Sequence, residues 1–308
     1  MGRVRETLNA AVILSFCFLP LQESTINRTI NVGHGISLHY LEAGSGTPVI
    51  FVHGSLSDAE YWNDQIAPFA QHYHVFAYSR RYNYPNVNPS SRGYSAIADA
   101  EDLEGFIEAL HLAPAVVIGH SYGALTALFL AAKHPELVRA VVLAEPPVIS
   151  LLQDISGNES GKGKVMFEDI QRRMVNPMRR YFARGDRDAG VATFIDYVFG
   201  DSHAWEKMPE SSRQQTMRDV HEWDVMMTRG ILFPRIQPEA IRRIHVPTLL
   251  LSGAKSYPFL ELIMSELARL LPDSQSIVYP DAGHQMWFQK PQECRHDVED
   301  FLQRHGIH

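Results

Sequence analysis

Cysteine is scarce in this sequence, which limits how the protein can be held together. Only Cys17 and Cys294 occur among its 308 residues, so the chain has no disulfide framework and no cysteine-based metal pattern. Fifteen histidines are present, but no His-x-Glu-x-x-His or similar ligand spacing occurs among them. The sequence therefore predicts no metal site.

A large excess of charge of either sign is also missing. The chain carries 28 Lys and Arg against 35 Asp and Glu, and the resulting net charge of −7 is spread along its length. No basic stripe of the kind that binds nucleic acid is present, and no long charge run indicates a disordered tail. We therefore predict no nucleic-acid partner. The oligomeric state does not follow from the sequence.

Long hydrophobic runs are equally rare. Ala10–Leu19 is an apolar run that ends at Pro20, and it is too short to span a membrane. Together with Arg3 and Arg5 it resembles the first two regions of a secretory signal, although no small-residue cleavage site follows. We predict a signal-like segment over residues 1–24, a secreted or periplasmic protein (with a cytoplasmic one as the alternative), and no stable membrane insertion.

The remaining chain has the composition and alternation of a single α/β core. Hydrophobic residues make up 45% of the sequence and charged residues 20%, which is ordinary for a globular protein with one sizeable core. Strand and helix patterns alternate over residues 25–147 and again over 237–308. Between them, residues 148–236 break the alternation and are rich in Arg, Met and aromatic residues, which predicts a helical insertion.

One stretch organises this core. Ala115–Ile118 has the apolar, largely β-branched composition of a buried strand, and Leu125–His134 has apolar residues along one helical face. Between them, residues 119–123 read Gly-His-Ser-Tyr-Gly, which fits the pattern G-x-S-x-G. Strand, sharp turn and helix are the context in which this pattern presents a nucleophilic serine. The glycines let strand and helix pass closely, and the strained turn lifts the Ser121 hydroxyl clear of the sheet.

On this motif and its flanks, the chain resembles α/β-hydrolases with a serine nucleophile, over about residues 30–302. The resemblance implies the α/β-hydrolase fold: a mostly parallel eight-stranded sheet flanked by helices. It also implies that residues 148–236 form a helical cap that closes over the site and shapes the substrate pocket. No metal or organic cofactor is implied, and the expected partner is a small-molecule substrate.

The resemblance also assigns roles to residues far from the motif. His284 follows the last predicted strand and matches the family's catalytic histidine, which takes the proton of the serine hydroxyl. The oxyanion hole would consist of two backbone N–H groups. One belongs to Ser55, in the turn after a strand and His-Gly, and the other to Tyr122, directly after the nucleophile.

The acid of the triad has more than one candidate. Many relatives carry it after the seventh strand, where this chain has Ser256, and serine cannot stabilise an imidazolium as a carboxylate does. Other branches place it after the sixth strand, where Glu145 precedes two prolines. We predict Glu145 as the acid, with Asp281 as a weaker competitor. Accordingly, Glu145→Gln should lower kcat by orders of magnitude, and Ser256→Ala should be nearly silent.

Candidate substrate contacts come from a loop and from the insertion. The loop over residues 80–86 follows a predicted strand and should lie at the carboxyl ends of the strands, where open α/β sheets bind ligands. Its Arg80 and Arg81 are predicted to hold a substrate carboxylate or, alternatively, to be structurally paired. The large side chains of the insertion line the pocket or form its own core: Trp205, Trp223, Met226, Met227 and Phe233.

These assignments predict a serine hydrolase that cleaves a small carboxylic ester or lactone through an acyl-enzyme intermediate. A serine rather than an aspartate at position 121 argues against haloalkane dehalogenases and epoxide hydrolases. Carbon–carbon bond hydrolases and cofactor-free haloperoxidases share the same triad and remain alternatives, because likeness of fold does not determine the substrate. A further alternative is a small-molecule receptor on the same fold.

Overall fold

The computed structural model of the protein describes residues 25–155 and 159–308. The signal-like segment predicted over residues 1–24, and with it the predicted export, lies outside the described residues. Among the helices that are described, none combines the length and the apolar character needed to cross a bilayer.

A single eight-stranded sheet runs through the centre, with the strand order β1-β2-β4-β3-β5-β6-β7-β8. The pairs β1–β2 and β2–β4 are antiparallel, and all other neighbouring strands are parallel. This confirms the predicted architecture. The strands are β1 (Ile26–Asn31), β2 (Ser37–Ala43), β3 (Pro48–Val52), β4 (His74–Tyr78), β5 (Ala115–His120), β6 (Val138–Ala144), β7 (Thr248–Gly253) and β8 (Ser274–Tyr279).

The central strands are buried on both faces, which explains their continuous apolar sequences. Every residue of β5 is buried. Along β3 the side chains alternate between two cores: Val49 and Phe51 belong to the core on one face, and Ile50 and Val52 to the core on the other. Burial of this kind fixes the register of the strands, because a slip by one residue would exchange the two faces.

Helices cover both faces of the sheet. On one face lie α1 and α13, whose side chains share a core with Phe51. On the other face lie α2, α3 and α11. The helices outside the segment 148–236 are α1 (Asn63–Phe69), α2 (Ala96–Ala109), α3 (Tyr122–Lys133), α10 (Pro238–Arg242), α11 (Pro258–Leu270), α12 (Met286–Gln289) and α13 (Pro291–Arg304).

Between β6 and β7 the described chain is helical. After a short 3-10 turn it forms α4 (Ser160–Ile170), a π-helical turn (Gln171–Val175), α5 (Asn176–Ala183), α6 (Arg187–Phe199), α7 (Ala204–Lys207), α8 (Glu210–Arg218) and α9 (Val220–Arg229). Buried residues of these helices belong to the same core as α3 and α11. The exact division into a core and a cap over residues 148–236 stays a prediction.

Candidate active site

Ser121 occupies the sharp turn between β5 and α3. Its φ of 53° and ψ of −121° form a strained conformation that side chains rarely adopt. The turn is held because the Ser121 N–H donates to the Ala144 carbonyl at 2.8 Å. Glycine is needed on both sides: a Cβ on Gly119 would lie 2.5 Å from the Gly123 oxygen, and one on Gly123 would lie 2.2 Å from the Val52 oxygen.

His284 is paired with a buried carboxylate that comes from the end of β6. Its Nδ1 donates to Oε2 of Glu145 at 2.5 Å, and Glu145 is 1% exposed. The other carboxylate oxygen, Oε1, accepts the N–H of Gly253 at the end of β7. Two neighbouring strand ends therefore fix the carboxylate, and the carboxylate fixes which ring nitrogen of His284 carries the proton.

Ser256 also touches this carboxylate. Its hydroxyl donates to Oε2 of Glu145 at 2.6 Å, so one oxygen accepts from both the imidazole and the hydroxyl. This contact revises the expectation that Ser256→Ala is nearly silent, because the hydroxyl directly supports the carboxylate. Asp281 is placed differently: its side chain is 73% exposed and lies 3.5 Å from Lys255.

Two aromatic rings hold the imidazole of His284 in place. The ring of His120 lies 4.6 Å away and that of Tyr257 lies 5.0 Å away, measured between centroids. His120 also donates from Nε2 to the His284 carbonyl at 2.8 Å. Burial lowers the pKa of His120 well below its usual value, so this ring is neutral. His120 therefore packs against His284 as a neutral ring.

Within the described residues, Nε2 of His284 makes no hydrogen bond, and Ser121 and His284 are not hydrogen-bonded to each other. Both residues line the same cavity. Catalytic hydrogen bonds of this kind often tighten only when substrate binds, so the arrangement is compatible with proton transfer from Ser121 to His284.

The loop that carries Ser55 is anchored from behind by Arg80. The guanidinium donates from Nε to the His53 carbonyl at 3.2 Å and from Nη2 to the Gly54 carbonyl at 3.0 Å. It also lies over the ring of Tyr122, 4.9 Å from the centroid. Arg80 thus contacts both segments that carry the predicted oxyanion donors, the N–H groups of Ser55 and Tyr122, and both of those residues line the cavity.

Arg80 does not reach the cavity, so the predicted contact with a substrate carboxylate is wrong for this residue. Its side chain is fully buried and ion-paired with Asp99 at 2.7 Å and with Glu222 of α9 at 2.5 Å. Burial alone would lower the pKa of Arg80, but the charges of Glu222 and Asp99 raise it well above the usual value. The alternative prediction, a structurally paired arginine, describes what the structure shows.

Arg81 is paired in a similar way. Its Nε and Nη2 donate to the two carboxylate oxygens of Asp102 at 2.7 and 2.6 Å, a bidentate geometry that favours arginine over lysine. Burial raises the pKa of Asp102 to about 6, although Arg81 opposes the shift. Arg81 does not line the cavity, so it too is a structural residue and not a substrate contact.

The cavity has a volume of about 570 Å³, within the range of small-molecule sites. Of the five large side chains of the insertion, Trp223 and Phe233 line it, whereas Trp205, Met226 and Met227 do not. Trp205 is instead held by its Nε1, which donates to Asp188 at 3.1 Å.

In the described part of the chain, no group of three or more His, Cys, Asp or Glu side chains is arranged to hold a metal ion.

Sequence reasoning missed two supporting residues, Glu222 and Tyr257. Glu222 is a fully buried carboxylate on α9, where Trp223 and Met226 are its buried neighbours. A lone acidic residue on an apolar helix face is the signal that could have revealed it, since such a charge must have a partner. The sequence around Tyr257 gives no comparable signal, because its contact with the ring of His284 depends on where the loop after β7 places it.

Comparisons with known proteins agree with this architecture. The sequence pattern described as the Alpha/beta hydrolase family matches residues 49–297, which is most of the chain. The chain belongs to this family. The match includes the Ser121 turn, Glu145 and His284.

Related sequences of the family are distant but cover nearly the full length. The chain is 27% identical to 2-hydroxy-6-oxo-6-(2'-aminophenyl)hexa-2,4-dienoic acid hydrolase from Metapseudomonas resinovorans, over 92% of this chain and 93% of that protein. It is 26% identical to 2-(acetamidomethylene)succinate hydrolase from Mesorhizobium japonicum, over 90% of this chain and 95% of that protein. These relatives support hydrolase activity for this alpha/beta hydrolase.

Solved structures show the same fold. Carboxylesterase CesB from Bacillus subtilis superposes with a TM-score of 0.69 at 19% identity, covering 91% of this chain and 92% of that one. The enol-lactonase from Burkholderia xenovorans LB400 superposes with a TM-score of 0.67 at 20% identity, covering 89% of this chain and 99% of that one. At these identities the likeness concerns the fold alone.

Proposed function

We propose that this alpha/beta hydrolase is a serine hydrolase that cleaves a carboxylic ester or lactone by acyl transfer. The observation that carries the proposal is the buried pair of Glu145 and His284, which opens into the same cavity as Ser121. The strained turn at Ser121 adds to it, because strain of this kind collects at functional sites. The proposed partner is a small molecule, and no nucleic acid is part of the account.

In the first half of the proposed reaction, the Ser121 hydroxyl oxygen attacks the carbonyl carbon of the substrate. His284 takes the hydroxyl proton at Nε2, and Glu145 stabilises the imidazolium through Nδ1. The carbonyl oxygen becomes an oxyanion that the N–H groups of Ser55 and Tyr122 hold. The carbon–oxygen bond to the leaving group then breaks, and His284 returns the proton to the leaving alcohol.

In the second half, water replaces the leaving group. His284 takes a proton from the water, whose oxygen attacks the acyl carbon of the ester on Ser121. The bond to the serine oxygen breaks, and His284 gives the proton back to Ser121. The products are the acid and regenerated enzyme, so protons and electrons balance without a redox partner. The helices between β6 and β7 act as the cap in this account, because residues of α6, α8 and α9 line the cavity.

The test is hydrolysis of p-nitrophenyl butyrate in stopped flow. The proposal predicts turnover by the parent enzyme and loss of turnover in Ser121→Ala, since removal of the nucleophile leaves only about 10³- to 10⁴-fold catalysis over water. Circular dichroism and Tm of the variant show whether its fold is intact. Equal rates in parent and variant would contradict an acyl-enzyme on Ser121.

A second candidate is hydrolysis of a dienoic acid, which the relative from Metapseudomonas resinovorans favours by its name. The same triad could serve that reaction. A dienoic acid carries a carboxylate, so this candidate requires a site that tolerates negative charge. Assay of a dienoic acid next to the ester separates the two candidates: the ester proposal predicts turnover of the ester and little turnover of the acid.

A further inference from the structure

The charged side chains that line the cavity are of one sign, apart from the histidines. Asp58, Glu60 and Asp219 line it, whereas no lysine or arginine is among its lining residues, all of which lie in the described part of the chain. His120 is neutral because burial lowers its pKa well below the usual value. His284 is already paired with the buried carboxylate of Glu145, so it offers no free positive charge to a substrate anion.

The arginine beside these carboxylates, Arg218, is already matched by them. Arg218 at the end of α8 contacts Asp58 and lies 2.9 Å from Glu60 through Nη2, and its Nε lies 3.8 Å from Asp219. Its guanidinium also lies over the ring of Tyr84 at 4.3 Å. One positive group therefore faces three carboxyl groups and has no unmatched charge for a substrate anion.

The carboxyl groups beside Arg218 outnumber it, so this part of the cavity wall has no net positive charge, even where burial favours the protonated form of a carboxyl group. Burial raises the pKa of Asp219 to about 7, and Asp58 also raises it. Burial likewise raises the pKa of Asp58, although Arg218 opposes the shift. Behind the cavity, Arg80 is fully buried between Asp99 and Glu222 and cannot turn toward a ligand. A further anion in this place would lose its hydration and find no positive side chain to pair with.

The opposite lining is apolar and belongs to the helices above the site. α6 contributes Phe194, Ile195, Val198 and Phe199, whose spacing places them on one helical face. Trp223 of α9 lies behind this face, with its ring 4.8 Å from that of Phe194. Apolar walls favour burial of hydrocarbon, at roughly 0.8 kcal/mol for each methylene.

From this distribution we infer that the site takes esters or lactones with an uncharged, apolar acyl chain and rejects acyl chains that end in a carboxylate. The inference rests on the proposed serine hydrolase chemistry and adds the substrate class to it. It separates this chain from its relatives named for a dienoic acid and for a succinate, because a carboxylate substrate would need a positive side chain in the cavity.

The test compares two esters of equal length that differ in one charge: p-nitrophenyl hexanoate and the mono-p-nitrophenyl ester of adipic acid. We expect kcat/KM for the hexanoate to exceed that for the adipate by about 100-fold or more, the size of discrimination that one unmatched polar group produces. Comparable values, or a preference for the adipate, would overturn the inference.

A matched pair of variants tests whether the charge of the cavity causes the discrimination. Gln215 and Gln214 are neighbours on α8 and both are exposed, but Gln215 lines the cavity and Gln214 does not. Gln215→Lys should narrow the ratio between the two esters by about tenfold, and Gln214→Lys should leave it unchanged. An equal effect of both variants would show that overall charge, and not the cavity lining, sets the ratio, and would overturn the inference.

Binding without turnover distinguishes a failure of this inference from a failure of the proposed function. The two esters are titrated into Ser121→Ala, and quenching of tryptophan fluorescence by the nitrophenyl group reports binding near Trp223. Tighter binding of the hexanoate supports the inference even if the parent enzyme hydrolyses neither ester, a result that would contradict only the proposed function. Equal binding of both esters overturns the inference, whatever the turnover.

Discussion

At the scale of single residues, the account depends on the carboxylate of Glu145. This carboxylate accepts three hydrogen bonds, from His284, Ser256 and the backbone of Gly253. Its own φ of 49° lies in the left-handed region that glycine favours, so the backbone is strained where it presents the side chain. This combination of strain and full hydrogen bonding indicates a residue that is held for a purpose other than stability.

Glu145→Gln should lower kcat by about 10³- to 10⁴-fold, because an amide can present the wrong hydrogen-bonding group to Nδ1 of His284 and cannot balance the imidazolium. The amide has nearly the same shape, so the fold should stay intact. Steady-state kinetics with a p-nitrophenyl ester measure the effect, and circular dichroism provides the control. A variant with near-parental kcat would rule out Glu145 as the acid.

Ser256→Ala should lower kcat by about tenfold, because a hydrogen bond to a charged group contributes roughly 1.5–3 kcal/mol and only part of it acts on catalysis. Ser256→Thr keeps the hydroxyl and should restore kcat. Unchanged kinetics in Ser256→Ala would return Ser256 to the minor role first expected.

How much of the site follows from the sequence depends on how local each signal is. Ser121 lies in a short local motif, and the resemblance to the family then pointed to Glu145 and His284 because each follows a predicted strand. Arg80 was ambiguous because its partner Glu222 lies 142 residues later in the sequence, inside a helix. Pairing over such a distance is decided by tertiary packing, which the pattern of a single segment does not contain.

At the scale of elements, Arg80 connects three parts of the fold. From the end of β4 it joins the loop after β3, helix α2 and helix α9, through contacts to Gly54, Asp99 and Glu222. Glu222 in turn accepts from the side chain of Asn83 at 3.1 Å. The loop that carries Ser55 is thereby coupled to the helical segment above the cavity. Helix α9 thus contributes to the position of the loop, besides lining the cavity.

Arg80→Lys should lower kcat/KM by about 10- to 100-fold, because lysine keeps the charge but lacks the planar fork that binds the His53 and Gly54 carbonyls. Arg81→Lys is the matched control: the neighbouring arginine pairs with Asp102 and contacts neither carbonyl. Its effect on kcat/KM should be far smaller. Equal effects of the two variants would show that the loop does not depend on Arg80.

At the scale of the whole molecule, buried carboxyl groups make stability depend on pH. Burial raises the pKa of Asp219 to about 7, above the value of about 3.9 expected in the unfolded chain. The folded protein therefore binds this proton more tightly, and its stability falls as pH rises through the window from about 4 to 7. Asp58, whose pKa burial also raises, acts in the same direction.

Asp219→Asn should remove this penalty. The amide oxygen can still accept from the Tyr84 N–H, which the carboxylate does at 2.7 Å. The Tm of the variant relative to the parent should therefore be higher at pH 8 than at pH 5. Glu206→Gln is the control, because this side chain is 76% exposed. A Tm difference for Asp219→Asn that stays constant between the two pH values would contradict the raised pKa.

The strands of the sheet could be predicted from the sequence for a physical reason. The packing of the helices between β6 and β7 could be predicted less well. Strands such as β5 and β6 are buried on both faces, so their apolar runs stand out from the rest of the chain. The helices between β6 and β7 mix buried and exposed positions. Trp205 and Trp223 are therefore alike in sequence, and only packing decides that Trp223 lines the cavity while Trp205 does not.

The measurement that tests the central claim most directly is reaction with a fluorophosphonate, followed by peptide mass spectrometry of the adduct. The reagent modifies a serine only where a nearby base activates it. The account predicts one adduct, on Ser121, in the parent enzyme and its loss in His284→Ala with the fold intact. An adduct on another residue, or undiminished labelling of Ser121 in His284→Ala, would contradict the claim that His284 activates Ser121.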